Sequence, residues 1–220
     1  MFLLAFDLDG TLVDSVADLA SAMNKFLAEQ GFVGVSVDDL RTMMGDGARE
    51  LLDRSLRLQG HEAKPVWLDE MAERFLAFYD NWPHGLTVVF PGVAETLSKL
   101  RGQGYRMAVV TNKRVKPATR LLDQLGLAAL FDVVIGCDST DHAKPNPQPL
   151  LAAMTACGVT AATTMMVGDS INDISMAHCV GALAVGCRYG YPRQPQDLDQ
   201  ADWLIDSMHA LPALLEQLPC

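Results

Sequence analysis

The segment Phe2-Leu3-Leu4-Ala5-Phe6-Asp7-Leu8-Asp9-Gly10-Thr11 opens the chain with an apolar run that ends in two acidic residues. An unbroken apolar run of this length is typical of a strand buried on both faces of a parallel sheet. Alternate residues of a strand point the same way, so Asp7 and Asp9 are predicted to project together at its carboxyl end. Open α/β sheets bind their ligands at that edge. A plain polar loop after a strand is the alternative interpretation of these two acids.

Five further apolar runs predict the rest of the sheet: Arg106–Val110, Val133–Ile135, Thr164–Val167, Leu183–Val185 and Trp203–Ile205. Between them, apolar residues recur at helical spacing, and three of these helices end at a glycine that can serve as a C-cap: Gly104, Gly126 and Gly158. Strands that alternate with helices predict an α/β fold with a Rossmann-like, mostly parallel sheet and right-handed crossovers.

One segment departs from this alternation. Between Ser15 and Trp82 the sequence has no convincing strand pattern. It predicts three amphipathic helices instead, around Val16–Leu27, Leu51–Leu56 and Val66–Tyr79. We therefore predict an all-helical cap domain at residues 15–84, inserted into an α/β catalytic core made of residues 1–14 and 85–220.

Composition narrows the classes of function. The chain has 220 residues, half of them apolar, and its 17 basic and 27 acidic residues give a net charge of −10. Such an acidic chain is a poor partner for nucleic acid or an anionic membrane. No apolar run reaches the roughly 18 residues that cross a bilayer, and the first run is too short for a signal peptide. The five cysteines form no C-x-x-C pair, which favours reduced thiols and a cytoplasmic location. Monomer and homodimer both stay open.

A second acidic cluster, Gly168-Asp169-Ser170-Ile171-Asn172-Asp173, follows the fourth apolar run. Asp169 stands at the strand end, where it can complete a metal site with the first pair of acids. Neighbouring carboxylates repel one another and are costly to bury, and a divalent cation relieves both problems. Oxygen ligands favour Mg²⁺ over zinc. The alternative to a metal site is that Asp169 or Ser170 is only the N-cap of the helix that follows.

Two other strand ends carry polar residues. Thr111 and Asn112 follow the second run, where a turn can expose backbone N–H groups to a phosphate, or where Thr111 can simply cap a helix. Lys144 precedes two prolines that prevent a helix at that point, although a lone lysine is usually solvent-exposed. All four clusters fall on one sheet edge and together meet the needs of phosphoryl transfer. Lys113 and Lys144, with a bound cation, can offset the acidic net charge locally.

These four clusters resemble the four signature motifs of the haloacid dehalogenase superfamily. They are Asp7–Leu12, Thr111-Asn112, Lys144-Pro145 and Gly168–Asp173. The helical insert directly after the first motif is similar to the caps of the small-molecule phosphatases in this superfamily. Within it, the chain is most similar to the phosphoglycolate phosphatase group, on three softer signals: Val13-Asp14-Ser15, Met44–Leu51, and the tail from Gly190-Tyr191 to Asp206.

The resemblance implies an Mg²⁺-dependent phosphomonoesterase in carbohydrate metabolism that acts on a small phosphorylated metabolite, 2-phosphoglycolate. Asp7 is the implied nucleophile, which forms an aspartyl-phosphate, and Asp9 is the implied general acid and base. Asp7, the backbone carbonyl of Asp9, and Asp169 are the implied metal ligands. The phosphoryl oxygens are then bound by Thr111, Asn112 and Lys144.

Other residues are implied to support this site. Asp173, with Asn172 and Ser170, stands behind the metal ligands, where Asp173 can orient waters or Lys144. In the cap, Gly45 allows a tight loop beside the substrate, and Arg49 can bind a second anionic group of the substrate. A solvated arginine on a helix face is the alternative for Arg49.

Two other functions stay open at this point. One is a sugar phosphomutase of the β-phosphoglucomutase type, and the other is a non-catalytic binding protein on the same fold. The complete set of catalytic carboxylates and the lysine argues against the binding protein. Asp9 argues for phosphate chemistry over carbon–halogen cleavage, because a halide leaves without a proton.

Overall fold

The computed structural model describes residues 1–218, so Cys220, one of the five cysteines predicted to be reduced, lies outside the described residues. In chain order the strands are β1 (Leu3–Phe6), β2 (Val13–Asp14), β3 (Val88–Val89), β4 (Arg106–Val110), β5 (Val133–Ile135), β6 (Thr164–Gly168), β7 (Leu183–Cys187) and β8 (Trp203–Ile205). The α-helices are α1 (Val16–Glu29), α2 (Val37–Arg41), α3 (Ala48–Leu58), α4 (Pro65–Tyr79), α5 (Val93–Gly102), α6 (Val115–Gln124), α7 (Gln148–Cys157), α8 (Ile171–Val180) and α9 (Leu211–Leu215).

Six strands form one sheet in the order β5-β4-β1-β6-β7-β8, and every neighbouring pair is parallel. The predicted α/β fold is therefore confirmed, and each of the six apolar runs forms one of these strands. The register places Phe6, the last residue of β1, opposite Val109 and Val167. The loops after β4, β1 and β6 consequently leave the sheet side by side. The chain order reverses at β1, and such switch points are where open α/β sheets bind ligands.

The unbroken apolar runs follow from helices that cover both faces of the sheet. Leu4 and Phe6 pack with α5, α6 and α9 in one buried cluster, whereas Leu3 and Ala5 pack with α7 and α8 in another. All four residues of β1 are fully buried. A strand buried on both sides has no polar face, which is why its sequence does not alternate.

The chain divides into two compact units: Ser15–Thr87, and Met1–Asp14 together with the chain from Val88 onward. The exit boundary thus lies three residues later than predicted. Leu86 and Thr87 donate hydrogen bonds to buried Asp18, at 2.9 and 2.6 Å, which ties them to the helical unit. The next residues form β3, which pairs antiparallel with β2 in a separate two-stranded sheet.

Within the helical unit, the described residues form four α-helices and no strand. The sequence predicted three of these helices and missed α2, which has only five residues and begins at the Ser36 N-cap. Phe26 packs against Phe75 and Phe78 in the apolar interior, with ring centroids 5.4 and 6.0 Å apart.

Candidate active site

Asp7 follows the central strand directly and continues its pairing by one residue, because its N–H donates to the carbonyl of Val167 at 2.9 Å. The Asp7 side chain is 12% exposed. Its Oδ1 accepts hydrogen bonds from the N–H of Leu8 at 2.7 Å and from Nζ of Lys144 at 2.8 Å. Two donors therefore fix one carboxylate oxygen of Asp7.

Three buried carboxylates converge at this edge of the sheet. Asp7, Asp169 and Asp173 each offer an oxygen atom, and these atoms all lie within 4.8 Å of one another. Lys144, whose side chain is 2% exposed, joins two of them, with Nζ at 2.8 Å from Asp7 and 2.7 Å from Asp173. The Lys144 ammonium also donates to the carbonyl of Val110 at 3.0 Å. Lys144, which was predicted to bind the phosphoryl group, is thus buried between two acids and is not a solvent-exposed lysine.

The crowding of these acids shifts their pKa values. Burial raises the pKa of Asp7 to about 7, against the opposing attraction of Lys144. Burial also raises the pKa of Asp169 well above its usual value, and the neighbouring charge of Asp7 adds to this shift. Burial alone lowers the pKa of the Lys144 ammonium, but Asp173 and Asp7 outweigh it and the pKa is raised. Among the described residues of this cluster, one ammonium faces three carboxylates, which leaves an excess of negative charge.

This donor set fits a hard divalent cation. All the ligand atoms are carboxylate oxygens and the surroundings are buried. A bound cation would offset both the burial of these carboxylates, which is the main cause of their raised pKa values, and the repulsion among them. No thiol or imidazole belongs to the cluster found among residues 1–218, so Mg²⁺ suits the site better than zinc.

Asp169 is held from two directions. The hydroxyl of Thr11 donates to Asp169 Oδ1 at 2.9 Å, and the N–H of Tyr191 donates to Oδ2 at 2.7 Å. The loop after β7 comes so close that a Cβ added to Gly190 would lie 2.2 Å from the carbonyl oxygen of Gly10. Sequence reasoning used Gly190 and Tyr191 only as a sign of resemblance and missed this support of Asp169.

The first turn of α8 organises the second acidic motif. Ser170 is its N-cap, and Asp173 accepts hydrogen bonds at Oδ2 from the Ser170 hydroxyl at 2.7 Å and from the Ser170 N–H at 3.1 Å. The other oxygen of Asp173 faces Lys144, and Asn172 is buried beside it in the same turn. Both interpretations of this motif therefore apply to different residues. Ser170 is the N-cap of α8, and Asp169 belongs to the acidic cluster.

The loop after β4 places its polar residues in three different ways. Thr111 is buried, and its hydroxyl accepts the N–H of Lys113 at 3.1 Å. The Asn112 side chain accepts the N–H of Lys144 at 2.9 Å and donates to its carbonyl at 3.2 Å, so it positions the lysine backbone. Lys113, which is 7% exposed, contacts both carboxylate oxygens of Asp9 at 3.0 and 3.1 Å. Sequence analysis predicted Lys113 as a positive charge near the site but did not predict its pairing with Asp9.

Comparison with known proteins identifies the chain. A sequence model described as haloacid dehalogenase-like hydrolase matches residues 4–187. The chain belongs to this family of hydrolases. Over 213 residues the hydrolase is 41% identical to a phosphoglycolate phosphatase from Pseudomonas putida, which covers 95% of this chain and 78% of the relative. It is 37% identical over 209 residues to a phosphoglycolate phosphatase from Caulobacter vibrioides, covering 95% and 88% of the two chains.

Solved structures agree with this assignment. The hydrolase superposes with a TM-score of 0.88 on the crystal structure of a predicted phosphoglycolate phosphatase from Haemophilus somnus 129PT, at 32% identity and with 98% of both chains covered. The enzyme class of the hydrolase is therefore that of a phosphoric monoester hydrolase, as the resemblance of the motifs implied. Among the described residues, none of the helices is long and apolar enough to span a membrane.

In the helical unit of the hydrolase, Gly45 and Gly47 have positive φ angles of 108° and 89°, and Gly47 is the N-cap of α3. Arg49, in the first turn of α3, is 41% exposed and pairs with Glu50 at 2.9 Å and with Asp69 at 2.5 Å. The guanidinium is therefore engaged by acids of its own unit. Substrate binding by Gly45 and Arg49 stays a prediction.

Proposed function

We propose that this phosphatase hydrolyses 2-phosphoglycolate to glycolate and phosphate in an Mg²⁺-dependent reaction, through an aspartyl-phosphate formed on Asp7. The observation that carries the proposal is the buried Lys144 ammonium between Asp7 and Asp173, at the end of the central strand. The names of the relatives support the choice of substrate. A cytoplasmic location follows from the sequence alone and stays a prediction.

Asp7, Asp169 and the backbone carbonyl of Asp9 would hold the Mg²⁺ ion. When bound, the ion screens the charge of the phosphate dianion from the attacking carboxylate and stabilises the negative charge on the phosphoryl oxygens. Asp173 would not need to bind it directly, because its two oxygens already accept bonds from Lys144 and Ser170.

Asp7 would attack phosphorus with the carboxylate oxygen that Leu8 and Lys144 do not fix. A new bond forms between this oxygen and phosphorus as the bond from phosphorus to the ester oxygen breaks. Asp9 would give its proton to the departing alkoxide and then take a proton from the water that attacks the aspartyl-phosphate. Lys144 and Thr111 would bind the phosphoryl oxygens as charge develops on them.

A panel of substrates tests the proposal. We expect the highest kcat/KM for 2-phosphoglycolate among small phosphate monoesters, with complete loss of phosphate release in EDTA and recovery on addition of MgCl₂. Sugar phosphates and pyrophosphate are the comparison substrates. Conversion of a hexose 1-phosphate to its 6-phosphate without release of phosphate would identify a phosphomutase instead.

Asp9→Asn is expected to slow both half-reactions by about 10²- to 10⁴-fold, because the amide can neither donate the proton nor accept it from water. Rapid-quench measurement of alcohol release and of phosphate release would follow the two steps separately. A burst of alcohol followed by phosphate release at the wild-type rate would contradict the second role of Asp9.

Stability of the metal-free enzyme is expected to fall as pH rises from about 4 to 7. Because burial raises the pKa of Asp7 from 3.8 to about 7, the folded state binds a proton more tightly than the unfolded state, and deprotonation therefore favours unfolding. In EDTA, the free energy of unfolding in urea should be lower at pH 8 than at pH 5 by on the order of 2 kcal/mol. Added Mg²⁺ should stabilise the enzyme more at pH 8.

Asp7→Asn is the matched control for this measurement, since it removes the titrating group and keeps the shape of the side chain. The part of the difference between pH 5 and pH 8 that comes from Asp7 should disappear in the variant, whereas buried Asp169, whose pKa is also raised, should keep a smaller dependence of the same sign. An unchanged difference would assign the pH dependence to other groups.

A further inference from the structure

Lys113 places a buried ammonium beside the acid that would protonate the leaving group. Its side chain is 7% exposed, and Nζ lies 3.0 and 3.1 Å from the two carboxylate oxygens of Asp9. Burial of an ammonium is costly, so a lysine in this position is not an ordinary surface residue. The other buried ammonium of the site, that of Lys144, is engaged by Asp7 and Asp173 at the phosphoryl end.

The backbone of Lys113 is fixed on both sides. Its N–H donates to the hydroxyl of Thr111 at 3.1 Å, and its carbonyl accepts the N–H of Cys137, from the loop after β5, at 3.1 Å. The two loops approach so closely that a Cβ added to Gly136 would lie 2.6 Å from the Lys113 carbonyl oxygen. The loops after β4 and β5 therefore hold the backbone of Lys113 in place. Such preorganisation is what a binding group needs.

The ammonium is within reach of the leaving alcohol. As general acid, Asp9 would approach the ester oxygen to about 2.6–3.2 Å. Since Nζ is within 3.1 Å of Asp9, it lies no more than about 6 Å from that oxygen. Covalent bonds are about 1.5 Å long. A carboxylate that is joined to the ester oxygen through one carbon therefore lies between that oxygen and Nζ of Lys113. A neutral hydroxyl at the same distance would accept a hydrogen bond from the ammonium but would carry no opposite charge to attract it.

We propose that Lys113 is the specificity-determining residue for the leaving group, and that it selects phosphate esters whose alcohol carries a carboxylate one carbon from the ester oxygen. The inference rests on the proposed phosphatase function and adds the part of the site that recognises the alcohol. Arg49, the cation predicted for this task, is paired with Asp69 and Glu50 in the helical unit. Lys113 is paired instead with Asp9, the acid that would meet the ester oxygen, and its side chain is the more deeply buried of the two.

Three substrates of matched length test the proposal: 2-phosphoglycolate, 2-hydroxyethyl phosphate and 2-aminoethyl phosphate, which carry an anionic, a neutral and a cationic group. The readout is the ratio of kcat/KM values, because loss of support for Asp9 would slow all three substrates alike. Lys113→Met should lower kcat/KM for 2-phosphoglycolate by about 10- to 100-fold more than for 2-hydroxyethyl phosphate, as expected for a charge-assisted hydrogen bond.

Four further variants sharpen the test. Lys113→Arg should keep most of the preference for 2-phosphoglycolate, and Lys113→Glu should move the preference toward 2-aminoethyl phosphate. Lys116→Met, an exposed lysine on α6, is the matched control and should leave the ratios unchanged. If Lys113→Met does not fold by circular dichroism, Lys113→Gln provides the neutral side chain.

The outcomes separate this inference from the function on which it rests. An equal loss on all three substrates in the neutral variants would overturn the inference and leave Lys113 as a support for Asp9. Equal kcat/KM values for the wild-type enzyme on 2-phosphoglycolate and 2-hydroxyethyl phosphate would also overturn it, although the phosphatase function would stand. No release of phosphate from any of the three by the wild-type enzyme would overturn both.

Discussion

Asp7→Asn is expected to release no measurable phosphate from 2-phosphoglycolate, with kcat at least about 10³-fold below that of the wild-type enzyme. An amide is too weak a nucleophile to attack phosphorus. Asparagine has the size of aspartate, and its carbonyl oxygen can still accept the hydrogen bonds from Leu8 and Lys144. The fold is therefore expected to survive.

The test of Asp7→Asn therefore requires that the variant lose its activity while it remains folded. Phosphate release at saturating substrate gives the rate, and circular dichroism with thermal unfolding checks the fold. Removal of one of three crowded carboxylates should leave the melting temperature in EDTA unchanged or higher. Asp123→Asn, on the exposed face of α6, is the matched control and should retain wild-type activity. Wild-type rates in Asp7→Asn would exclude Asp7 as the nucleophile.

Lys144→Met is expected to combine a loss of activity similar in size with a large loss of stability. The ammonium bridges Asp7 and Asp173 in a buried site, and its removal leaves three carboxylates to repel one another. Removal of one partner from a buried ion pair costs about 3–5 kcal/mol. We expect a loss of this size in the free energy of unfolding, measured with urea in EDTA at pH 8.

The cause of this instability can be checked within the same experiment. A lower pH protonates one of the crowded acids, and added Mg²⁺ supplies positive charge, so both should restore part of the stability of Lys144→Met. The double variant Lys144→Met/Asp7→Asn should be more stable than Lys144→Met alone. Lys99→Met, on the exposed face of α5, should behave as the wild-type protein does. Equal stability of Lys144→Met and wild type would refute the electrostatic account.

The strands of the sheet could be predicted from the sequence because each one is a continuous run of apolar residues. Strands covered on both faces are apolar at every position, and the register that aligns Phe6 with Val109 and Val167 also aligns the loops that follow. The clustering of Asp7 and Asp169 thus follows from the strand ends alone. Short elements gave no such signal: α2 has five residues, and β2 and β3 have two each.

The finer arrangement of the site depends on contacts that sequence spacing does not encode. Lys113 and Asp9 are 104 positions apart and meet only because β1 and β4 are neighbours in the sheet. The approach of Gly190 to Gly10 likewise brings the loop after β7 against the loop after β1. The side chain of Asn112 makes two hydrogen bonds to the backbone of Lys144, a contact that its position after β4 did not suggest. Binding of phosphate by Asn112, which the resemblance implies, stays a prediction.

The antiparallel pairing of β2 with β3 has a consequence for how such enzymes diversify. Asp14 lies opposite Val88, so the polypeptide leaves and re-enters the core at neighbouring points. A two-residue turn suffices to connect antiparallel strands. The segment of residues 15–87 can therefore be replaced by a shorter segment or by one from another protein. Such a replacement preserves the register of the central sheet and the spacing of its acidic residues.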